Sequence, residues 1–153
     1  MAEIKPIEMR HEIDDLVITC MDHRFHGPIR EFLQDKFDMN IDRMDRLTEA
    51  GSSKKVVSGE LIPSIQTSYK LHKIKNVWVF DHTDCGGFGG LEAYEFDENK
   101  EAEDHFKSLA RAQEAIHKVL PQLMVKTFVI GLHGEEIKPG VDPRIAPSRQ
   151  RHN

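Results

Sequence analysis

Two cysteines and one histidine have the residue types and the spacing of a metal site. His82 and Cys85 are separated by two residues, so one loop can present a nitrogen and a sulfur to the same ion. Cys20 is the other cysteine of the chain. Three protein ligands leave the fourth position of a tetrahedral ion open, which is the arrangement of catalytic zinc. These residues therefore predict a catalytic Zn²⁺ site.

Other chemistries can use the same segments. A fourth protein ligand would close the site and make it structural, and three histidines are candidates for that ligand: His23, His26 and His133. Without a metal, the two thiols could oxidise to a disulfide. The glycine-rich run at 86–90 could cradle a phosphate, but it lacks the G-x-G-x-x-G spacing followed by a helix.

Asp22 and Arg24 follow Cys20 at alternate positions. In an extended segment alternate side chains point to the same side, so both would project towards the metal. A carboxylate there can accept a hydrogen bond from a metal-bound hydroxide, and an arginine can hold that carboxylate through a bidentate pair. The alternative is an ordinary surface ion pair. Beside a cysteine ligand, the pattern favours a catalytic dyad.

Strand and helix patterns alternate along the chain. Short apolar runs predict strands at 16–20, 41–47, 77–80 and 125–132. Apolar residues at helical spacing predict helices from Pro28 onwards, over 59–73 and over 98–120. This rhythm predicts an α/β domain with a mainly parallel sheet of about four strands flanked by helices. Ligands of such sheets bind beyond the carboxyl ends of the strands, where both cysteines are expected.

The length of 153 residues, with no linker that divides the chain, predicts a single domain. We place it at 15–135, after an N-terminal arm at 1–14 and before a proline-containing tail at 136–153. The hydrophobic fraction of 39% is low for a globular domain, where about 45–50% is usual. A core completed by another copy of the chain is therefore expected.

The charge pattern excludes several classes of partner. The formal net charge is −5, from 21 basic and 26 acidic residues, so the basic footprint of a nucleic-acid-binding protein is missing from the sequence. No apolar stretch approaches 18 residues, and the N-terminal segment lacks the apolar run of a signal peptide. The sequence thus predicts a cytoplasmic protein that binds neither nucleic acid nor membrane.

The motifs resemble those of the β-class carbonic anhydrases, in which Cys-x-Asp-x-Arg follows one strand and His-x-x-Cys follows a later one. Residues 19–24 (Thr-Cys-Met-Asp-His-Arg) and 82–87 (His-Thr-Asp-Cys-Gly-Gly) supply both halves. The Ala-Gly pair at 50–51 resembles the pair that the family carries between them, and 130–134 looks like the exit from its last parallel strand. The resemblance covers about residues 15–135.

The resemblance implies that the two cysteines and His82 hold Zn²⁺, and that Asp22 and Arg24 form the catalytic dyad. Metal-bound hydroxide would attack the carbon of CO₂ to give bicarbonate. Buffer or a histidine would then carry the proton away, and His23 and His26 are the nearest in sequence. The resemblance also implies a homodimer or a higher homo-oligomer.

The chain departs from the family pattern at three places besides its short N-terminal arm. Asp81 stands where glycine is usual, and Ser52 stands where asparagine is usual. The segment after Gly134 is expected to be too short and too rich in proline for the usual extended antiparallel strand at the sheet edge. Two alternative functions follow: hydrolysis of carbonyl sulfide or carbon disulfide on the same site, and a catalytically silent zinc-binding member.

Overall fold

A five-stranded sheet flanked by helices organises residues 6–140, the part of the chain that the computed structural model describes. The strands β1 to β5 are Asp15–Thr19, Asp45–Thr48, Asn76–His82, Met124–Ile130 and Glu136–Ile137. The helices α1 to α4 are His26–Phe37, Ser53–Val57, Ile62–His72 and Glu98–Val119. The strand order is β2-β1-β3-β4-β5, and every pairing is parallel except that of β4 with β5. The predicted α/β fold is confirmed, and most of the predicted tail lies outside the described residues.

Side chains of β3 alternate between the two faces of the sheet, and both faces are covered. Val77 and Val79 pack in one core cluster with residues of α4. Trp78 and Phe80 pack on the opposite face, where Leu33 of α1 lies. These four side chains of β3 are each at most 2% exposed. Burial on both faces explains the continuous apolar run by which the sequence predicts this strand.

Helix α4 has the amphipathic pattern that the sequence predicts. Asp97 caps its N-terminus, where the Asp97 side chain accepts hydrogen bonds from the backbone N–H groups of Asn99 and Lys100. Leu120 caps its C-terminus, directly before Pro121. Across residues 6–140, no helix combines the length and the apolarity needed to cross a membrane.

The second strand is shorter than its sequence pattern predicts. Ile41–Arg43 forms a turn of 3₁₀ helix, in which the side chain of Asn40 accepts a hydrogen bond from the backbone N–H of Asp42 at 2.9 Å. This local cap competes with an extended conformation, so β2 begins at Asp45. The segment at 49–52 leads directly into the short helix α2, which begins at Ser53.

The segment after Gly134, expected to be too short for the usual extended antiparallel strand, forms an antiparallel strand of only two residues. A tight turn reverses the chain there, closed by a 2.9 Å hydrogen bond from the N–H of Gly134 to the carbonyl of Gly131. Strand β5 then pairs with the end of β4 and buries Ile137. It ends before Pro139, so the prolines of this segment do not interrupt the pairing.

The strand order reverses between β1 and β3. The chain leaves β1 towards β2 on one side, and returns to form β3 on the other side of β1. A crevice opens beyond the carboxyl ends of two strands at such a point. Cys20 directly follows β1, and His82 is the last residue of β3. The fold therefore brings both segments of the predicted metal motif to one place.

Candidate metal centre

Cys20, His82 and Cys85 form a buried cluster in this crevice. Their ligand atoms, two sulfurs and one ring nitrogen, all lie within 4.8 Å of one another. The two Sγ atoms are 3.9 Å apart and both thiols are free. Ligand atoms at bonding distance from a tetrahedral ion lie about 3.5–3.8 Å apart, close to this spacing. Phe88 and Tyr94 pack against the cysteines, so the cluster can hold a metal ion in a largely apolar surrounding.

The imidazole of His82 is oriented as a metal ligand. Its Nδ1 lies 2.6 Å from the carbonyl oxygen of Thr83, and a carbonyl only accepts, so Nδ1 carries the proton. Its Nε2 is buried and has no hydrogen-bond partner among the described residues. The ring of Phe25 stacks on the imidazole at a centroid distance of 4.0 Å and fixes its plane. A buried nitrogen whose lone pair has no hydrogen-bond partner is suited to bind a metal ion.

The two thiols are coupled to each other. The hydrogen bond from Cys85 lowers the pKa of Cys20 to about 3, although burial of the thiol opposes this shift, and the backbone of Gly51 lowers it further. The same hydrogen bond with Cys20 raises the pKa of Cys85, as does burial. Without an ion the pair therefore shares one proton, which binding of a metal would displace.

Two glycines allow the loops around the cysteines to pack backbone against backbone. A Cβ atom added to Gly87 would lie 2.6 Å from the Cα of Gly51. Lys54 connects the same two loops, because its Nζ donates a hydrogen bond to the carbonyl oxygen of Gly87 at 2.9 Å. The Ala-Gly pair at 50–51 thus allows the loop after Cys85 to pack closely against the loop that contains Gly51.

Asp22 and Arg24 form the bidentate pair that the sequence predicts. Arg24 Nη2 donates to Asp22 Oδ2 at 2.7 Å, and Nε lies 3.1 Å from both carboxylate oxygens. The backbone N–H of Arg24 donates to Oδ1 as well. These side-chain hydrogen bonds lower the pKa of Asp22 to about 2. The pair adjoins the metal cluster, because Asp22 Oδ2 is 3.9 Å from Nε2 of His82.

Asp84 completes the clamp around Arg24, a role that the sequence analysis missed. Its Oδ2 and its carbonyl oxygen accept from Nη1 and Nη2 of Arg24, each at 3.1 Å. Its Oδ1 accepts the backbone N–H of Leu91 at 2.8 Å, and this hydrogen bond lowers the pKa of Asp84, with a further contribution from Arg24. Arg24 therefore ties the loop after Cys20 to the loop that carries Cys85.

Asp81 points away from the metal ligands. Its Oδ2 accepts hydrogen bonds from Ser53 Oγ at 2.6 Å and from His105 Nδ1 at 2.7 Å, and its Oδ1 accepts the backbone N–H of Ser53. His105 also contacts Glu101, four residues earlier on α4. The signal in the sequence was a glutamate and a histidine on the stripe of α4 that the apolar residues define.

The three histidines considered as a fourth ligand do not join the cluster, which contains three ligand residues within the described part of the chain. His23 is exposed, with Nδ1 4.0 Å from Asp22 Oδ1. His133 is exposed. Nε2 of His26 is buried and has no hydrogen-bond partner in the described region. The cluster is thus open on the side that Asp22 faces.

Comparison with known sequences places the chain in a family. A family model described as "Putative carbonic anhydrase" matches residues 11–137. The chain belongs to this family. An uncharacterized protein of Rickettsia bellii is 31% identical over 134 residues, which cover 81% of this chain and 80% of that protein. An uncharacterized protein of Rickettsia conorii is 29% identical over 134 residues, covering 81% of this chain and 70% of that protein. The resemblance inferred from the motifs is confirmed at the level of the family.

Proposed function

We propose that this chain is a zinc-dependent carbonic anhydrase that converts CO₂ reversibly to bicarbonate. One observation carries the proposal: the carboxylate of Asp22, gripped by Arg24, lies beside the unpartnered Nε2 of His82 in a buried cluster of two thiols and one imidazole. A purely structural metal site has no need for such a carboxylate–guanidinium pair. The family membership of the chain supports the same activity.

Zinc suits the donor set of Cys20, His82 and Cys85. Two thiolates and one neutral imidazole are ligands of a borderline soft ion, and three protein ligands are typical of its catalytic sites. When bound, zinc supplies the acidified water that adds to carbon dioxide. The two thiolates offset the charge of the ion, so we expect this water to be less acidic than beside three imidazoles.

Asp22 would orient the attacking oxygen. With its pKa held at about 2 by the hydrogen bonds from Arg24, the carboxylate is ionised near neutral pH and can only accept a hydrogen bond. An accepted hydrogen bond fixes which lone pair of the attacking oxygen faces the carbon of CO₂. Arg24 is itself held by Asp84, so the carboxylate does not need to be positioned anew in each turnover.

The proposal is tested by removing and restoring the metal. A chelator should abolish CO₂ hydration measured by stopped flow with a pH indicator, and added zinc should restore the rate in proportion to occupancy, up to one ion per chain. Fully loaded protein that hydrolyses carbonyl sulfide and does not hydrate CO₂ would instead be a hydrolase of sulfur analogues. Fully loaded protein with neither activity would be a catalytically silent zinc binder, and the proposal would be wrong.

A further inference from the structure

We propose that Glu101 is a positioning residue for the metal ligand Cys85, and that His105 and Asp81 hold Glu101 in place. The inference rests on the proposed metal site, but it concerns how the protein prepares that site before any ion binds. It assigns a role to three buried polar residues that the reaction itself does not use.

Glu101 holds the backbone of the loop that carries Cys85. Its Oε1 accepts the N–H of Asp84 at 2.7 Å, and its Oε2 accepts the N–H of Cys85 at 3.0 Å. Two consecutive amides are thus anchored to one carboxylate. The side chain of Glu101 is completely buried, so water cannot replace it as the acceptor. The carboxylate thereby sets the position from which Sγ of Cys85 reaches the ion.

His105 holds the carboxylate of Glu101. Its Nε2 lies 2.9 Å from Oε2 of Glu101, and its Nδ1 lies 2.7 Å from Oδ2 of Asp81. Ionised carboxylates only accept, so both ring nitrogens donate and the ring is an imidazolium. The side chains of His105, Glu101 and Asp81 are at most 1% exposed. The ring of Phe88 covers the imidazolium at 3.9 Å between centroids.

The network connects the two segments that carry metal ligands. Asp81 directly precedes His82, and Glu101 binds the backbone of Cys85. At its far end, Asp81 is fixed by the backbone N–H and the hydroxyl of Ser53. The distance between the nitrogen ligand and the sulfur ligand is therefore set by a buried chain of charge-assisted hydrogen bonds, as a preorganised metal site requires.

The direct test is the metal affinity of Glu101→Gln. Glutamine keeps the shape, but one of its two terminal atoms is an NH₂ group, so it cannot accept from both amides. We expect about a 10- to 100-fold loss in zinc affinity, measured by competition with a chromophoric chelator, which is the usual effect of removing such a partner. The cobalt(II) form should show a weakened thiolate-to-cobalt charge-transfer absorption. His105→Gln, which leaves both amide hydrogen bonds in place, should lose less.

Glu103→Gln is the matched control, because it makes the same change at an exposed position two residues along the same helix. It should bind zinc like the wild type. A folded Glu101→Gln protein with wild-type zinc affinity and an unchanged cobalt spectrum would overturn the proposal.

A second measurement needs no variant and no activity. In metal-free wild-type protein, the amide hydrogens of Asp84 and Cys85 should exchange slowly with solvent, because their acceptor belongs to the protein. The N–H of Gly86, which is exposed and donates to no group in the described residues, is the fast internal reference. Exchange of all three amides at the same fast rate would show that the anchor does not exist. A failed CO₂ assay would leave this result intact, so the two proposals fail separately.

Discussion

Oδ2 of Asp22 and Nε2 of His82 face each other across 3.9 Å. This separation is too long for a hydrogen bond, and Nε2 has no other hydrogen-bond partner in the described residues. Both atoms therefore point towards a shared space beside the two sulfurs. Arg24 grips Asp22 through both carboxylate oxygens and keeps the carboxylate next to this space rather than in it. The carboxylate of Asp22 is thereby held beside the candidate metal ligands.

Arg24→Lys should slow CO₂ hydration without releasing the metal. Lysine keeps the charge but cannot grip both oxygens of Asp22 and reach Asp84 at the same time. Loss of one hydrogen bond between charged groups, about 1.5 kcal/mol, corresponds to roughly a tenfold lower kcat. Steady-state kinetics of wild type and Arg24→Lys at matched zinc content measure the change in kcat. An unchanged kcat would show that the grip of the guanidinium is not needed.

Cys85→Ser should release the metal. Serine is a poor ligand for zinc, and the remaining Cys20 and His82 make a two-ligand site. We expect the zinc content after dialysis to fall from about one per chain to near zero, as measured by atomic absorption. In wild-type protein, bound zinc should also protect both thiols from a thiol reagent, and chelation should expose them. Stoichiometric zinc retained by folded Cys85→Ser would rule out this ligand.

Gly87→Ala should separate the two loops that adjoin the metal. The new Cβ would meet the Cα of Gly51 at 2.6 Å, and backbone atoms cannot give way cheaply. We expect a loss of about 1–3 kcal/mol in the free energy of unfolding, measured with urea, together with weaker zinc binding. Gly86→Ala is the control, because its Cβ would meet nothing within 4 Å. Equal stability of the two variants would contradict this packing.

His105 should make the stability of the metal-free protein depend on pH. Burial opposes its charge, but the hydrogen bonds to Asp81 and Glu101 dominate and raise its pKa from 6.5 to about 9. The stabilisation is complete below pH 6.5 and is lost as the pH rises to about 9. Between pH 6.5 and 9, the free energy of unfolding of the wild type should therefore fall by up to about 3 kcal/mol more than that of His105→Gln.

The comparison with His105→Gln is essential to that measurement. The lowered pKa of Cys20 adds stability as the pH rises, which opposes the effect of His105. Both proteins contain Cys20, so its contribution cancels in the difference between them. Reversible urea unfolding under reducing conditions at several pH values gives the difference. A stability difference that stays constant from pH 6.5 to 9 would show that His105 is not an imidazolium.

The five candidate site residues could be predicted from the sequence because each follows or ends a strand. Cys20 follows β1, and His82 ends β3, so local pattern and the general geometry of parallel sheets suffice. Strand β5 could not be predicted, since two paired residues carry no periodic pattern.

The hydrogen-bond partners within the buried network below the site could not be predicted either. Asp81 and His105 are 24 residues apart in sequence, and no spacing rule connects them. Glu101 and His105 have residue types of a solvated helix face, yet they lie on the buried side of α4. Their pairing depends on the way α4 packs over β3, which the sequence pattern alone does not specify.

We propose that Asp22 promotes CO₂ hydration at the metal. The most direct measurement is stopped-flow hydration by zinc-loaded wild type, Asp22→Asn and Asp35→Asn, each assayed for zinc, at about pH 7 and about pH 8.5. Asp35 is exposed on α1, so its variant controls for loss of one negative charge. We predict equal zinc contents, equal rates for wild type and Asp35→Asn, and a rate at least about 100-fold lower for Asp22→Asn. A wild-type rate in Asp22→Asn, or no zinc-dependent rate in the wild type, would contradict the claim.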